Sequence, residues 1–248
     1  MRVLLSAYAC EPYKGSEPEV GWQRALHMRA YADDVWVLTR SNNQTVIEAA
    51  PESHTSGLHF IYYDLPEWAL KLKKQPWFLR AYFLLWQWGA YRLAARLHSE
   101  KPFDCVYHVT LSGIQAGSFM GRLGIPFIIG PIAGGERTPF RLRRSMPVLC
   151  KVKELLRDLG IIYQRYSPIT RSAFAAAERI YASSPDSLRL VLPKWRSKAE
   201  VQLSIATCSH AFQQTERQPP ESPRYVYVGR LLHWKGVHFA IRAFAVVK

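Results

Sequence analysis

The sequence predicts an α/β domain: a parallel sheet with helices on both of its faces. Two observations carry that expectation. Short apolar runs recur along the chain, and segments of helical periodicity or composition separate most of them. Apolar residues make up 48% of the chain and charged residues 21%, which sets it far from disordered sequences and excludes collagen and coiled coil.

The first apolar run, residues 2–8, starts at the terminus and ends in a Gly/Pro-containing stretch, as a buried parallel strand does. Further strands are expected at 34–39, 58–65, 103–110, 126–132, 179–183, 201–206 and 225–229. Helices are expected at 19–31, 77–100, 113–123, 148–159, 167–178 and 235–247. Trp68, Trp77, Trp86 and Trp88 lie among Lys71, Lys73, Lys74 and Arg80, a mixture compatible with base stacking or a membrane interface, but their helical spacing favours core packing. Residues 211–223 are polar and proline-rich, cannot continue either element, and read as an interdomain linker. The expected organisation is a first domain over 1–210, the linker, and the opening of an incomplete second domain over 224–248. One strand and one helix cannot bury a core alone.

Length and charge bound the function. The chain has 248 residues, room for one large domain or somewhat more. Its 33 Lys and Arg against 19 Asp and Glu give a net charge of +14, which predicts an anionic partner: nucleic acid, an acidic lipid surface or a phosphorylated small molecule. Cys10, Cys105, Cys150 and Cys208 form no C-x-x-C pair, so reduced thiols are expected and no metal site is. No run reaches the ~20 apolar residues of a membrane span, and no signal peptide is expected.

Several segments carry candidate chemistry. The first strand runs into Tyr13-Lys-Gly-Ser-Glu-Pro-Glu-Val-Gly-Trp22, so a glycine loop opens a helix at the carboxyl edge of the sheet. Gly15 lets the backbone approach a phosphate or sugar, Ser16 can cap the helix, and Glu17 is a candidate sugar contact; an ordinary strand-to-helix turn is the alternative. The spacing is not G-x-G-x-x-G, which disfavours a nicotinamide or flavin site. His108 lies near the carboxyl end of a strand, either as a ligand contact or as a structural histidine. Gly134 and Gly135 admit a close ligand, and Glu136 can accept hydrogen bonds from sugar hydroxyls or cap the following helix. The basic stretch from Arg137 to Lys153 interleaves Arg141, Arg143, Arg144 and Lys151 with apolar residues. It suits an anionic membrane face, with a solvated helix face and nucleic acid as alternatives. After the linker, Gly229-Arg230 and Lys235-Gly236 place two cations and free helix N–H groups where they can stabilise a diphosphate without a metal.

Taken in order, Ala9-Cys-Glu-Pro with Gly-Ser-Glu-Pro-Glu-Val-Gly-Trp22, His108-Val-Thr, Gly130-Pro-Ile-Ala-Gly-Gly-Glu136, Ala182-Ser-Ser-Pro185 and Val228-Gly-Arg-Leu-Leu-His-Trp-Lys-Gly236 resemble the family 4 retaining glycosyltransferases of the GT-B fold. The resemblance spans essentially the whole chain. It implies two Rossmann-like domains facing across a cleft, of which this chain carries the N-terminal, acceptor-side half. It also implies that Gly15 approaches the donor phosphates, that His108 contacts the transferred sugar as the catalytic residue, and that Arg230 and Lys235 neutralise the departing diphosphate. The implied co-substrate is a UDP- or GDP-sugar, with no cofactor and no metal. The implied acceptor is a polysaccharide, glycolipid or other glycan, met in the cytoplasm or peripherally on the inner face of the cytoplasmic membrane, and no nucleic acid is expected.

The sequence departs from the family in two places. The paired glutamates that grip the donor in the second domain are not among these residues, so the chain by itself is expected to be inactive. Ser204-Ile-Ala-Thr-Cys-Ser-His210 stands where many relatives have an Asn-Gly-Ile-Asp-like turn. Two other classes compete: a non-catalytic basic module binding anionic lipid or nucleic acid, and a GT-B epimerase or phosphorylase.

Overall fold

The computed structural model describes residues 1–72, 78–111, 117–204, 224–229, 231–232 and 235–246, as backbone only at 72, 80 and 164. The chain falls into two compact units, Met1–Glu136 with Gly160–Ile205, and Arg137–Leu159 with Ala206–Lys248.

The first unit is built on seven parallel strands: β1 (Arg2–Ser6), β2 (Asp34–Thr39), β3 (Leu58–Tyr62), β4 (Cys105–His108), β5 (Phe127–Ile132), β6 (Arg179–Ala182) and β7 (Ala199–Val201). They lie in the order β3-β2-β1-β4-β5-β6-β7, and every neighbouring pair is parallel. The helices, in chain order, are α1 (Ser16–Met28), α2 (Gln44–Ala49), α3 (Glu67–Leu72), α4 (Phe78–Glu100), α5 (Phe140–Arg143), α6 (Val148–Arg165), α7 (Pro168–Ala176), α8 (Pro185–Leu190) and α9 (Val237–Val246). The α/β class with a parallel sheet and helices on both faces is the observed one.

Alternation along the strands divides the core into two layers. In β1, Leu4 joins one apolar cluster with Leu38, Trp86, Val106, Ile129 and Phe174, while Val3 and Leu5 join the other with Trp22, Val35, Val37 and Ile47. Successive side chains of a strand point to opposite faces, so a central strand apolar at every position needs a helix layer on each side. Arg2 is accommodated at the start of β1 by Asp34, 3.1 Å from its Nε, and by the rings of Trp36 and Phe103 at 4.8 and 4.3 Å. The helical spacing of the tryptophans is only partly a core signal. Trp86 is fully buried and donates from Nε1 to the Tyr63 carbonyl at 2.8 Å, Trp68 is exposed, and Trp77 lies outside the described residues.

Three expected elements change. The helix expected over 113–123 gives, in its described part, only a 3-10 turn at Met120–Leu123. Gly117 (φ 59°) and Gly124 (φ 73°) take left-handed backbone conformations that interrupt a helix. The last strand pairs at Ala199–Val201 with Ile180–Ala182, starting two residues earlier than expected and ending at Val201 among the described residues; 205–206 of the expected 201–206 lie outside them. No strand forms at 225–229 among its described residues: Val226 and Val228 are 84% and 91% exposed. An apolar run becomes a strand only when a neighbouring edge takes up its N–H and C=O groups. Among the described residues, no helix is long and apolar enough to cross a membrane.

Candidate functional site at the carboxyl edge of the sheet

All seven strands are parallel, so their carboxyl ends share one edge. The strand order reverses between β1 and β4, where the connections depart to opposite faces, and such a switch point leaves a crevice where α/β domains take ligands. Ser6 and His108 are register partners there. The Ser6 hydroxyl is 3.1 Å from His108 Nδ1, and both side chains are fully buried. Burial lowers the imidazole to about 4, so the ring is neutral at ordinary pH. Its Nε2 is a buried polar atom without a hydrogen-bond partner among the described residues. The expectation that His108 directly presents its ring to a sugar is thus corrected: in this structure it has no exposed surface.

The loop after β1 is tied down on two sides. The Thr110 hydroxyl accepts from the Ala9 N–H at 3.0 Å, and Glu17 Oε1 accepts from the Leu111 N–H at 2.6 Å. Glu17 therefore bonds the first turn of α1 to the segment leaving β4, rather than offering that oxygen to a sugar. Burial raises its carboxyl, and the Leu111 N–H partly offsets this. Gly15, not Ser16, occupies the N-cap of α1, and Ser16 stands inside the helix at φ 55°. Gly15 has φ 70°, and among the described residues a Cβ there would meet nothing within 4 Å, so this backbone faces open space. The close approach is at Gly21 instead, where a Cβ would stand 2.1 Å from the Ala9 carbonyl oxygen. Gly21 lets α1 pass over the loop, with Trp22 buried against Phe60 at 5.8 Å between ring centres.

Beside it, the loop after β5 meets the turn after β6. Glu136 Oε1 accepts from the hydroxyls of Ser184 (2.6 Å) and Ser187 (2.9 Å), and Oε2 accepts from the Gly134 N–H at 3.1 Å. Ser184 Oγ caps α8 by accepting from the Ser187 N–H at 3.1 Å, and Ser187 Oγ accepts from the Gly135 N–H at 3.2 Å. Burial pushes the Glu136 carboxyl up, but the hydrogen bonds from Ser184, Ser187 and backbone N–H groups outweigh it and hold the group below its ordinary value. Glu136 is thereby engaged within the protein and does not cap the basic helix that follows it. Gly135 closes on α8, where a Cβ would stand 2.6 Å from Ser187 Cα. Gly134, at φ 102° with nothing within 4 Å of a Cβ among the described residues, is the glycine of the pair with open space beside it.

The other candidates lie in the second unit or outside the described residues. Arg230 is outside them, and Lys235 is exposed, with its N–H donated to the Leu232 carbonyl at 2.9 Å. Arg141, Arg144 and Lys151 are exposed. Arg143 is not: its Nη1 is 2.7 Å from Asp158 Oδ2, its Nη2 is 3.9 Å from Glu154 Oε2, and its side chain is 11% exposed. That corrects its assignment as a membrane contact. Among the described residues no group of His, Cys, Asp or Glu can hold a metal ion.

The sequence reading quoted Ser184 within Ala182-Ser-Ser-Pro185 without giving it a role, although a Ser before Pro185 is a helix-start signal, and it missed Ser187. It also missed Arg40, whose guanidinium follows the end of β2 and sits 4.6 Å over the Tyr8 ring at this same edge. Its signal was an arginine placed directly after an apolar run.

No protein-family model and no curated protein matches the chain. Among solved structures it is similar to the glycotransferase of kitacinnamycin (14% identity, TM-score 0.43, covering 99% of this chain and 63% of that one). It is also similar to the glycosyltransferase SnogD from Streptomyces nogalater (18%, 0.41, 91% and 56%). A third likeness is to UDP-GlcNAc 2-epimerase from Neisseria meningitidis bound to UDP-GlcNAc (13%, 0.40, 81% and 45%). The chain thus spans about half the length of the solved chains with which it aligns.

Proposed function

We propose that this chain is the acceptor-side part of a glycosyltransferase of the family 4, GT-B kind, which moves a hexose from a UDP- or GDP-sugar to a glycan or glycolipid hydroxyl with retention of configuration. The observation that carries the reading is the pairing of Ser6 with His108 at the β1/β4 switch point, with Glu17 bonded to Leu111 beside it. The order of the sequence motifs supports it independently. In this reading the open backbones at Gly15 and Gly134 border the ligand crevice. The His108 ring, fully buried, is assigned to the floor of that crevice, where it is held by its hydrogen bond with Ser6. Ser16, Glu17, Gly135 and Glu136 shape the crevice rather than bind in it.

The chemistry follows from charge. The bond between the anomeric carbon and the phosphate oxygen breaks, leaving an oxocarbenium-like sugar and a nucleoside diphosphate. The acceptor oxygen bonds to that carbon from the departing side, and its proton passes to the leaving phosphate oxygen. Arg230 and Lys235 are assigned to the diphosphate, because fixed cations stabilise charge that develops only as the bond breaks. No metal or cofactor is assigned.

The test is a panel of UDP- and GDP-sugars with labelled hexose, offered with glycan and glycolipid acceptors to the 248-residue chain and to any longer protein that contains it. The expected result is transfer of the labelled hexose by a protein that contains this chain, with the anomeric configuration kept. Duplex binding that falls steeply with salt, without protection by any nucleotide or sugar, would overturn the reading in favour of a basic binding module.

A further inference from the structure

We infer that Arg40 is an oxyanion-recognition residue at the carboxyl edge of the sheet, on the α4 side, where it takes the phosphate or carboxylate group of a small ligand. This inference does not depend on sugar transfer. Tyr8, Arg40 and Asp64 follow the ends of β1, β2 and β3, which are neighbouring parallel strands, so the three residues come to one stretch of that edge. The Tyr8 ring is fixed edge-on against Phe83 and Trp86 of α4, at 5.0 and 4.8 Å between ring centres. The Arg40 guanidinium lies 4.6 Å over that ring. A guanidinium laid on a buried aromatic face is oriented before any ligand arrives, so less side-chain freedom is lost when it binds.

The decisive feature is that no acid of the fold answers this cation. Among the described residues Arg40 forms no ion pair, and its enclosed Nε has no hydrogen-bond partner. Its terminal nitrogens are not enclosed, and the residue as a whole is half-buried. Other restrained arginines do meet carboxylates: Arg2 lies 3.1 Å from Asp34 and Arg143 lies 2.7 Å from Asp158. The acid at this edge, Asp64, is engaged elsewhere. Its Oδ1 accepts from the Tyr82 hydroxyl at 2.8 Å and its Oδ2 accepts from the Ser41 N–H at 3.0 Å. What remains is a fixed positive fork whose terminal N–H groups open to the edge of the sheet. A planar guanidinium matches the two oxygens of a carboxylate or phosphate with two parallel hydrogen bonds, and a neutral hydroxyl offers it neither the charge nor the second acceptor.

The experiment uses the 248-residue chain labelled with nitrogen-15 arginine, in which the Arg40 Nε–H resonance is assigned by its loss in Arg40→Lys. Titration with inorganic phosphate should shift that resonance and saturate at millimolar concentration or below, while sodium chloride at matched ionic strength should leave it in place. This titration decides the matter however the variants fold. Glucose 6-phosphate and glucuronate then separate the two sources of an oxyanion: the one carrying the recognised group should bind at least about tenfold more tightly than glucose. Arg40→Gln should weaken that binding about tenfold or more, and Arg40→Lys, which keeps the charge without the fork, by less. A shift that does not saturate, that chloride reproduces or that all arginines share alike would overturn the inference. So would glucose binding as tightly as both acidic sugars, or acidic sugars binding undiminished to Arg40→Gln.

Discussion

The hydroxyl of Ser6 lies 3.1 Å from Nδ1 of His108, across the one pair of strands at which the sheet reverses its order. That pairing orients the imidazole at the switch point, and among the described residues Nε2 has no hydrogen-bond partner.

Burial holds the His108 imidazole at about 4, against 6.5 in the open chain. As pH falls through ~6.5 the unfolded chain takes up a proton that the folded chain refuses until about 4. Stability is expected to be full above that window, to decline by ~3 kcal/mol across it and to level off below it. Urea midpoints measured at successive pH values should show the decline, and His108→Gln should flatten it. The same slope in the variant would assign the effect to other groups.

Glu136 shows the opposite logic. Hydrogen bonds from Ser184 and Ser187 depress its carboxyl. Its contribution is therefore present above the ordinary carboxylate range and is lost as pH falls below ~4 through the depressed value. Glu136→Ala should cost about 1–2 kcal/mol in denaturant unfolding at neutral pH. It should also raise hydrogen exchange at the amides of Gly134 and Gly135, which a remote effect would leave unchanged.

Two glycines of one motif should respond differently to the same change. Gly21→Ala places a methyl 2.1 Å from the Ala9 carbonyl oxygen, where backbone has to give way, and should cost about 3 kcal/mol or more. Gly15→Ala meets open space and bears only its φ of 70°, so about 1 kcal/mol is expected. Thermal unfolding of the two variants measures the difference, and equal losses would contradict the packing described for α1.

For a sugar-transferring protein that contains this chain, Lys235→Ala should lower kcat/KM by about a hundredfold, with the larger part in kcat, because the cation meets charge that appears in the transition state. Steady-state kinetics on the preferred donor measures the split. An effect confined to KM would assign Lys235 to ground-state binding.

The apolar runs and their spacing were enough to determine a parallel α/β sheet, because a strand buried on both faces is apolar at every position and β1, β2 and β4 are nearly so. Gly15, His108, Gly134 and Glu136 come, as their places in the sequence predicted, to the carboxyl ends of the strands or the loops after them. Their local roles were settled only by tertiary contacts. Glu17 and Glu136 carry the signature of ligand-binding acids, yet their oxygens go to Leu111, Ser184, Ser187 and Gly134, because those partners arrive from segments far away in the chain. The alternation of leucine and lysine made α6 amphipathic in the sequence. Which face turned outward was decided when Glu154 and Asp158 found Arg143, since two carboxylates withdraw from water only where cations neutralise them.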